Sequence, residues 1–145
     1  MDKNISTVQK VFNMIETGNI DELNNLVDQG FIDNTPDPAF TSNKKGHEYV
    51  KDIIQMYGNT FSNLRVEIKQ IFSCENKVVV YSIFKGKHTG KIKDIPASNK
   101  DISFKNMDIF KLENEKVTEH WGVADNLSLM IQMDVISEKE LYMQH

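Results

Sequence analysis

The sequence predicts an α+β protein in which a curved sheet wraps over about three helices and leaves one deep pocket. Two observations support this prediction. Apolar residues recur with helical spacing in the first part of the chain, and from Leu64 onward they alternate as in strands. Helices followed by a separate run of strands are typical of α+β proteins. A bent sheet closed over helices forms a cone, and its open end is a natural pocket.

The first helix is predicted from four apolar residues that share one helical face: Ile5, Val8, Phe12 and Ile15. Gly18 can end this helix in the left-handed conformation. Asn19 and Glu22 have the spacing of a capping box, which predicts a second short helix directly after Asn19. Its apolar side would consist of Leu23, Leu26 and Val27.

A short extended segment at 31–34 and a proline-rich loop at 35–38 separate these helices from a third. The third helix is expected to begin near Gly46 and to pack flat on the sheet. Its apolar stripe comprises Val50, Ile53, Ile54, Met56, Tyr57 and Phe61.

The strands follow. The first long strand is predicted to bury one face, made of Leu64, Val66, Ile68, Phe72 and Cys74. The next strand, 78–84, is apolar on both faces, and its outer face is expected to contact another copy as a homodimer or homotetramer. Further strands are expected at 102–112 and 117–121, joined by a turn at 113–116, with a last helix at 126–133 and a polar tail.

Composition narrows the function classes. The 145 residues suit a single domain over 1–145. The net charge of −4, with acidic and basic residues interspersed, argues against a nucleic-acid partner. No apolar run is long enough for a membrane span, and no signal peptide is evident, so a cytoplasmic location is expected. The four histidines lack the spacing of a metal site, so no metal is expected. The sequence also lacks a glycine-rich phosphate loop, and no cofactor is expected.

Four segments together resemble the SnoaL-like polyketide cyclases (ester cyclases) of the nuclear transport factor 2-like superfamily, whose architecture is cystatin-like. The segments are Glu48-Tyr49-Val50 with Met56-Tyr57 and Phe61; Lys85 to Gly90; Ile95-Pro96 with the strand that follows; and Val117-Thr118-Glu119-His120-Trp121 with Asp125 and Gln132. The resemblance implies a cone-shaped barrel of mixed or antiparallel strands. It also implies cofactor-free cyclisation by aldol condensation, with an aspartate as general acid/base.

By this resemblance, Asp125 matches the catalytic aspartate. On a regular strand Asp125 would share a face with Trp121, whose ring could hold a flat substrate. The alternative is that Asp125 only caps the last helix. His88 is the second catalytic candidate, since it could orient a carbonyl or work with Asp125, or it could be a surface residue. His120 is expected on the opposite face, at a subunit contact.

The remaining candidates would bind substrate. Asp108 and Phe110 lie on a stripe with Asn106, which would face the pocket unless a β-bulge turns the polar residues outward. Met56 and Tyr57 could be pocket wall or core. Asn34 stands where the family often has histidine, which leaves the substrate open. His47 and His145 are expected at the surface.

Two function classes follow. The first is a lyase or isomerase that acts on a small apolar carbonyl compound by acid/base chemistry. The alternative is a non-catalytic module of the same fold that binds a small molecule or dimerises, because one scaffold supports many functions.

Overall fold

The computed structural model describes residues 2–142 and has an α+β architecture. The elements in chain order are α1 Lys3–Thr17, α2 Leu23–Leu26, β1 Val27–Asp33, α3 Gly46–Thr60, β2 Phe61–Cys74, β3 Lys77–His88, β4 Asp101–Glu113, β5 Lys116–Ala124, α4 Asn126–Gln132 and α5 Glu138–Tyr142. Among these residues, no helix is long and apolar enough to cross a membrane. His145 lies outside the described residues.

The five strands form one curved mixed sheet in the order β1-β5-β4-β3-β2. β1 runs parallel to β5, and the other neighbours are antiparallel. The sheet is not closed, so the predicted barrel is an open one with β1 and β2 at its edges. Helices α1 and α3 contact the sheet and each other.

Both predicted N-terminal helices are present, but the predicted start of α2 is wrong. Gly18 ends α1 with a φ of 75°, as predicted, and the Asp2 side chain caps its first turn. The capping box at Asn19 is wrong: α2 begins at Leu23 without a side-chain cap, and Asn19 accepts a hydrogen bond from the Asp21 backbone N–H instead. A backbone tied up in this local turn cannot begin a helix at the same place.

The β2 strand contains a bulge that the alternating pattern did not reveal. Ile68 pairs with Ser82 but Gln70 pairs with Tyr81, so Lys69 is an extra residue on β2. A single extra residue exchanges the two faces of a strand. Beyond Lys69, therefore, Ile71 packs against the core while Phe72 and Cys74 are exposed, contrary to the prediction that both are buried.

The predicted stripe on β4 is confirmed by burial. Ile102, Phe104, Phe110 and Leu112 are all at most 6% exposed and belong to one core cluster with residues of α1 and β3. Phe12 of α1 meets Phe84 and Phe110 edge to face, with ring centroids 6.3 and 5.6 Å apart. The three rings also form part of the wall of a cavity between the sheet and the helices.

Two glycines provide a matched test of the packing around α3. A Cβ at Gly90 would lie 1.8 Å from the Asn59 carbonyl oxygen, whereas a Cβ at exposed Gly58 would meet nothing within 4 Å. We expect Gly90→Ala to lower the free energy of unfolding by about 1–3 kcal/mol through overpacking. Gly58→Ala should raise it by about 0.5–1 kcal/mol, since alanine is the better helix former. Urea denaturation of both variants checks this, and equal stabilities would contradict it.

Candidate functional site

A cavity of about 150 Å³ opens between the concave face of the sheet, the two long helices and the loop after β1. Its walls are mainly apolar and aromatic, with contributions from Phe31, Tyr49, Tyr57, Phe84 and Phe110. The polar wall residues include Asp33, Asp108 and His120. An apolar cavity with a few convergent polar groups is the usual form of a small-molecule site.

Three ionisable side chains form a chain of hydrogen bonds across neighbouring strands. His120 Nδ1 lies 3.0 Å from Asp33 Oδ1, and its Nε2 lies 2.7 Å from Asp108 Oδ1. All three side chains are mostly buried, at 18%, 13% and 15% exposure respectively. Asp33 is the β1 partner of His120 in the parallel pair, and Asp108 lies on β4 opposite Gly122. The order of the strands therefore brings the three together.

Two further groups hold this arrangement. The Tyr49 hydroxyl donates to Asp33 Oδ2 at 2.6 Å. Gly122 leaves the room that Asp108 occupies, because a Cβ there would lie 2.2 Å from Asp108 Oδ1 and 2.9 Å from His120 Nε2. Asp108 Oδ2 makes no hydrogen bond with any residue in the described range, so one oxygen of this cavity-wall carboxylate is uncommitted.

The two carboxylates make His120 a cation at neutral pH. Burial by itself lowers the pKa of His120, but the hydrogen bonds and charges of Asp108 and Asp33 outweigh it and raise that pKa from 6.5 to about 9. Burial raises the pKa of Asp33, yet its bonds from His120 and Tyr49 leave that pKa lowered overall. Burial and the Asp33 carboxylate raise the pKa of Tyr49, which keeps its hydroxyl a donor.

The placement of His120 corrects the prediction that it lies on the face opposite the pocket. Lys111 pairs with Glu119 but Leu112 pairs with Val117, so Thr118 is an extra residue on β5. Val117 is buried at the start of the strand, and the bulge turns His120 inward with it. The same bulge turns Trp121 to the outer face of the sheet. There the Lys77 Nζ lies 5.9 Å from the centre of the Trp121 ring.

Asp125 does not line the cavity. It is exposed and caps α4, where its Oδ1 accepts the Ser128 backbone N–H at 3.0 Å. The bulge at Thr118 breaks the regular alternation that placed Asp125 beside Trp121 on a pocket face. Asp125 therefore has the helix-capping position that the alternative expected. Its role as acid/base stays a prediction from the resemblance.

The other predicted site residues divide into two groups. Tyr57, Asp108 and Phe110 line the cavity, whereas His88, Asn34, Met56 and Trp121 are not among its wall residues. His88 is fully buried rather than at the surface, with its Nδ1 held by the Ser98 hydroxyl and backbone N–H at 3.0 and 3.1 Å. Asn34 is exposed, and its amide donates to Glu119 at 3.3 Å. The catalytic role of His88 and the binding roles of Asn34, Met56 and Trp121 stay predictions.

Three site residues were missed in the sequence: Asp33, Tyr49 and His120. Tyr49 could have been found, because it precedes Ile53 by four residues and Tyr57 by eight and so shares their helical face. Asp33 directly precedes the predicted residue Asn34, but adjacent residues of a strand face opposite sides, so only Asp33 faces the cavity. His47 is half-buried rather than exposed, with its Nε2 2.7 Å from the Val27 carbonyl oxygen.

A curved sheet over helices, with an aromatic cavity and a buried cluster of ionisable side chains, defines an α+β protein whose cavity has the usual form of a small-molecule site. The SnoaL-like polyketide cyclase model matches residues 6–133, and the chain belongs to that family. None of the curated proteins matches this chain.

Solved structures agree with this assignment. A candidate polyketide cyclase from Bacillus cereus ATCC 10987 is 25% identical, with a TM-score of 0.77 and coverage of 93% of this chain and 83% of that one. TsrD from Streptomyces laurentii is 24% identical, with a TM-score of 0.79 and coverage of 94% and 99%. A SnoaL-like polyketide cyclase from Agrobacterium tumefaciens is 18% identical, with a TM-score of 0.74 and coverage of 91% and 98%. The latter two similarities show the fold alone.

The raised pKa of His120 predicts a loss of stability in alkali. Its folded value of about 9 exceeds its ordinary 6.5, so the cluster's contribution is complete below about 6.5 and is lost as the pH rises through 9. Urea unfolding should show His120→Gln to be about 3 kcal/mol less stable than the wild type at pH 7, because it leaves two buried carboxylates without their cation. This difference should shrink by pH 10. A constant difference, or an NMR titration of the ring below 7, would contradict the buried ion cluster.

Proposed function

We propose that the cavity performs cofactor-free proton transfer on a small apolar carbonyl compound, in an aldol-type cyclisation or an isomerisation. Membership of the SnoaL-like family supports a cyclase or isomerase. The main support for proton transfer in this cavity is the buried chain of hydrogen bonds Asp33–His120–Asp108 within aromatic walls. In this chain Asp108 Oδ2 forms no hydrogen bond with a described residue. Titratable groups coupled in this way are typical of catalytic sites.

Asp108 is the proposed base. Its carboxylate takes the proton from the carbon next to the substrate carbonyl; the C–H electron pair forms a C=C bond, and the carbonyl electrons move to oxygen as an enolate. In an isomerisation, the carboxylic acid returns the proton to another carbon. In a cyclisation, the enolate carbon attacks a second carbonyl, and the new alkoxide takes the proton from Asp108.

His120 and Asp33 would position the base rather than react. The His120 Nε2–H donates to one oxygen of Asp108, which fixes the carboxylate and leaves its other oxygen for the substrate. Asp33 holds the opposite ring nitrogen and is itself held by Tyr49. Supporting groups that lock a base in one orientation lower the cost of reaching the reactive geometry.

The shape and charge of the cavity also limit the class of substrate. Its aromatic walls suit a flat apolar molecule, and about 150 Å³ of space suits a small one. The cluster carries two carboxylates against one imidazolium, so an anionic substrate would be repelled. A neutral carbonyl compound fits both features.

Exchange of α-protons for deuterium, followed by NMR with acetophenone in D₂O, tests the proposed base. Asp108→Asn should slow protein-catalysed exchange by at least about 100-fold, since a positioned base contributes about 10²–10⁴-fold. Asp125→Asn is the matched control and should keep most of the rate, because asparagine also caps a helix well.

The opposite pattern, with exchange lost only in Asp125→Asn, would replace Asp108 by Asp125 as the acid/base. No exchange above buffer with acetophenone or a series of other small aryl ketones would favour the alternative, a non-catalytic binding or dimerisation module of the same fold.

We further propose that two copies associate through the outer face of the sheet. One row of paired residues crosses four strands there: Phe72, Val79, Ile109 and Trp121. The adjacent row carries Tyr81, Met107 and Val123. Phe72, Met107 and Val123 are 53%, 49% and 72% exposed. Exposed apolar side chains that continue across strands in this way are typical of subunit contacts.

A charge at the centre of this face should prevent association. We expect Ile109→Arg to sediment as a monomer at micromolar concentrations at which the wild type sediments as a dimer or tetramer, because a buried unpaired charge is costly. Gln55→Arg, at an exposed position of α3, is the control and should keep the wild-type state. A monomeric wild type would contradict the proposal.

A further inference from the structure

One buried polar side chain of the cavity has no partner. Asn106 is 7% exposed and lines the cavity, yet its amide makes no hydrogen bond with any residue between 2 and 142. Its Nδ2 is fully enclosed and unsatisfied. An unpaired buried amide costs free energy of about 1–3 kcal/mol, so a partner outside the protein chain is expected.

The position of Asn106 relates it to the proposed base. Asn106 and Asp108 are successive inward-facing residues of β4, opposite Ala124 and Gly122 of β5. Alternate residues of a strand are ~6–7 Å apart. That spacing admits one C–C=O unit, with its α-carbon toward the carboxylate and its oxygen about 2.9 Å from an amide nitrogen.

The NH₂ is the enclosed end of the amide, and no described residue forms a hydrogen bond with either end, so a half-turn of the amide brings the NH₂ to an acceptor in the cavity. The nearest alternative partner is Ser82, which lies directly opposite on β3 and whose hydroxyl is also buried and unsatisfied. A water shared by Asn106 and Ser82 is therefore the competing explanation. It would satisfy both groups without any ligand.

We propose that the Asn106 amide is the oxygen-binding group of the cavity: it donates to the carbonyl oxygen of the substrate and stabilises the enolate that forms on it. Tyr57 lines the same cavity, and its hydroxyl forms no hydrogen bond with a described residue, so it is a candidate second donor. A donor aimed at developing negative charge can contribute a large part of a rate enhancement. This inference deepens the proposed function and relies on it only for the chemical step.

Binding of two matched probes tests the amide without requiring turnover. Phenol carries one hydroxyl group, and toluene has nearly the same shape without it. In NMR titrations, Asn106→Leu should weaken phenol binding about 3–10-fold, the usual worth of one neutral hydrogen bond, and leave toluene binding unchanged or tighter. Ser82→Ala, which removes the neighbouring hydroxyl outside the cavity wall, should change phenol binding less than twofold.

Stability and spectra provide independent readouts. Replacing an unsatisfied amide by an apolar side chain of similar size should leave the melting temperature of Asn106→Leu equal or higher. The side-chain NH₂ resonances of Asn106 should shift when phenol, but not toluene, binds the wild type.

Equal weakening of both probes in Asn106→Leu, a large loss of stability, or unmoved NH₂ resonances at phenol saturation would overturn the assignment in favour of a structural amide. If phenol binding behaves as expected but Asp108→Asn keeps full proton exchange, the oxygen site stands and the proposed base fails. If Asp108→Asn loses exchange while Asn106→Leu binds phenol normally, the proposed base stands and the oxygen site fails.

Discussion

The extra residue at Thr118 decides which side chains of β5 face the cavity. Without the bulge, regular alternation from buried Val117 would turn Glu119 and Trp121 inward; with it, His120 and Gly122 face inward instead. His120 then lies between β1 and β4, where Asp33 and Asp108 meet its two ring nitrogens. The inward glycine leaves the space that the Asp108 carboxylate needs. The contribution of β5 to the cavity wall therefore depends on one local irregularity.

Burying three charged groups demands that each is paired. An isolated imidazolium or carboxylate in an apolar cavity would lose its hydration without compensation. Here the cation is shared by two anions, and Asp33 gains a further donor from Tyr49. The site so formed couples three strands and α3, and the loss of His120 would leave two buried carboxylates without a cation.

The sequence predicted the fold better than the site, because hydrophobic periodicity indicates which elements form but loses the facing of strand residues after a bulge. Helical stripes and the β4 alternation follow from hydrophobic periodicity, and three of the pocket candidates that they suggested, Tyr57, Asp108 and Phe110, lie in the cavity wall. Strand parity fails after a bulge, and neither Lys69 nor Thr118 differs in chemistry from a regular strand residue. Phe72, Cys74 and His120 were misplaced for that reason. The pairing of β1 with β5 is a non-local contact, which no local pattern encodes.

The two faces of the sheet are built from the same strands and are therefore linked. On β4, Asp108 points to the cavity while its neighbours Met107 and Ile109 are exposed on the outer face. On β5, His120 faces the cavity and Trp121 faces outward. A partner that covers the outer face would restrain the twist of β4 and β5, and with it the separation of Asp108 from His120. A hydrogen bond weakens steeply when its geometry is disturbed. The proposed association of two copies would thus hold Asp108, the proposed base, in place without contributing any residue to the cavity.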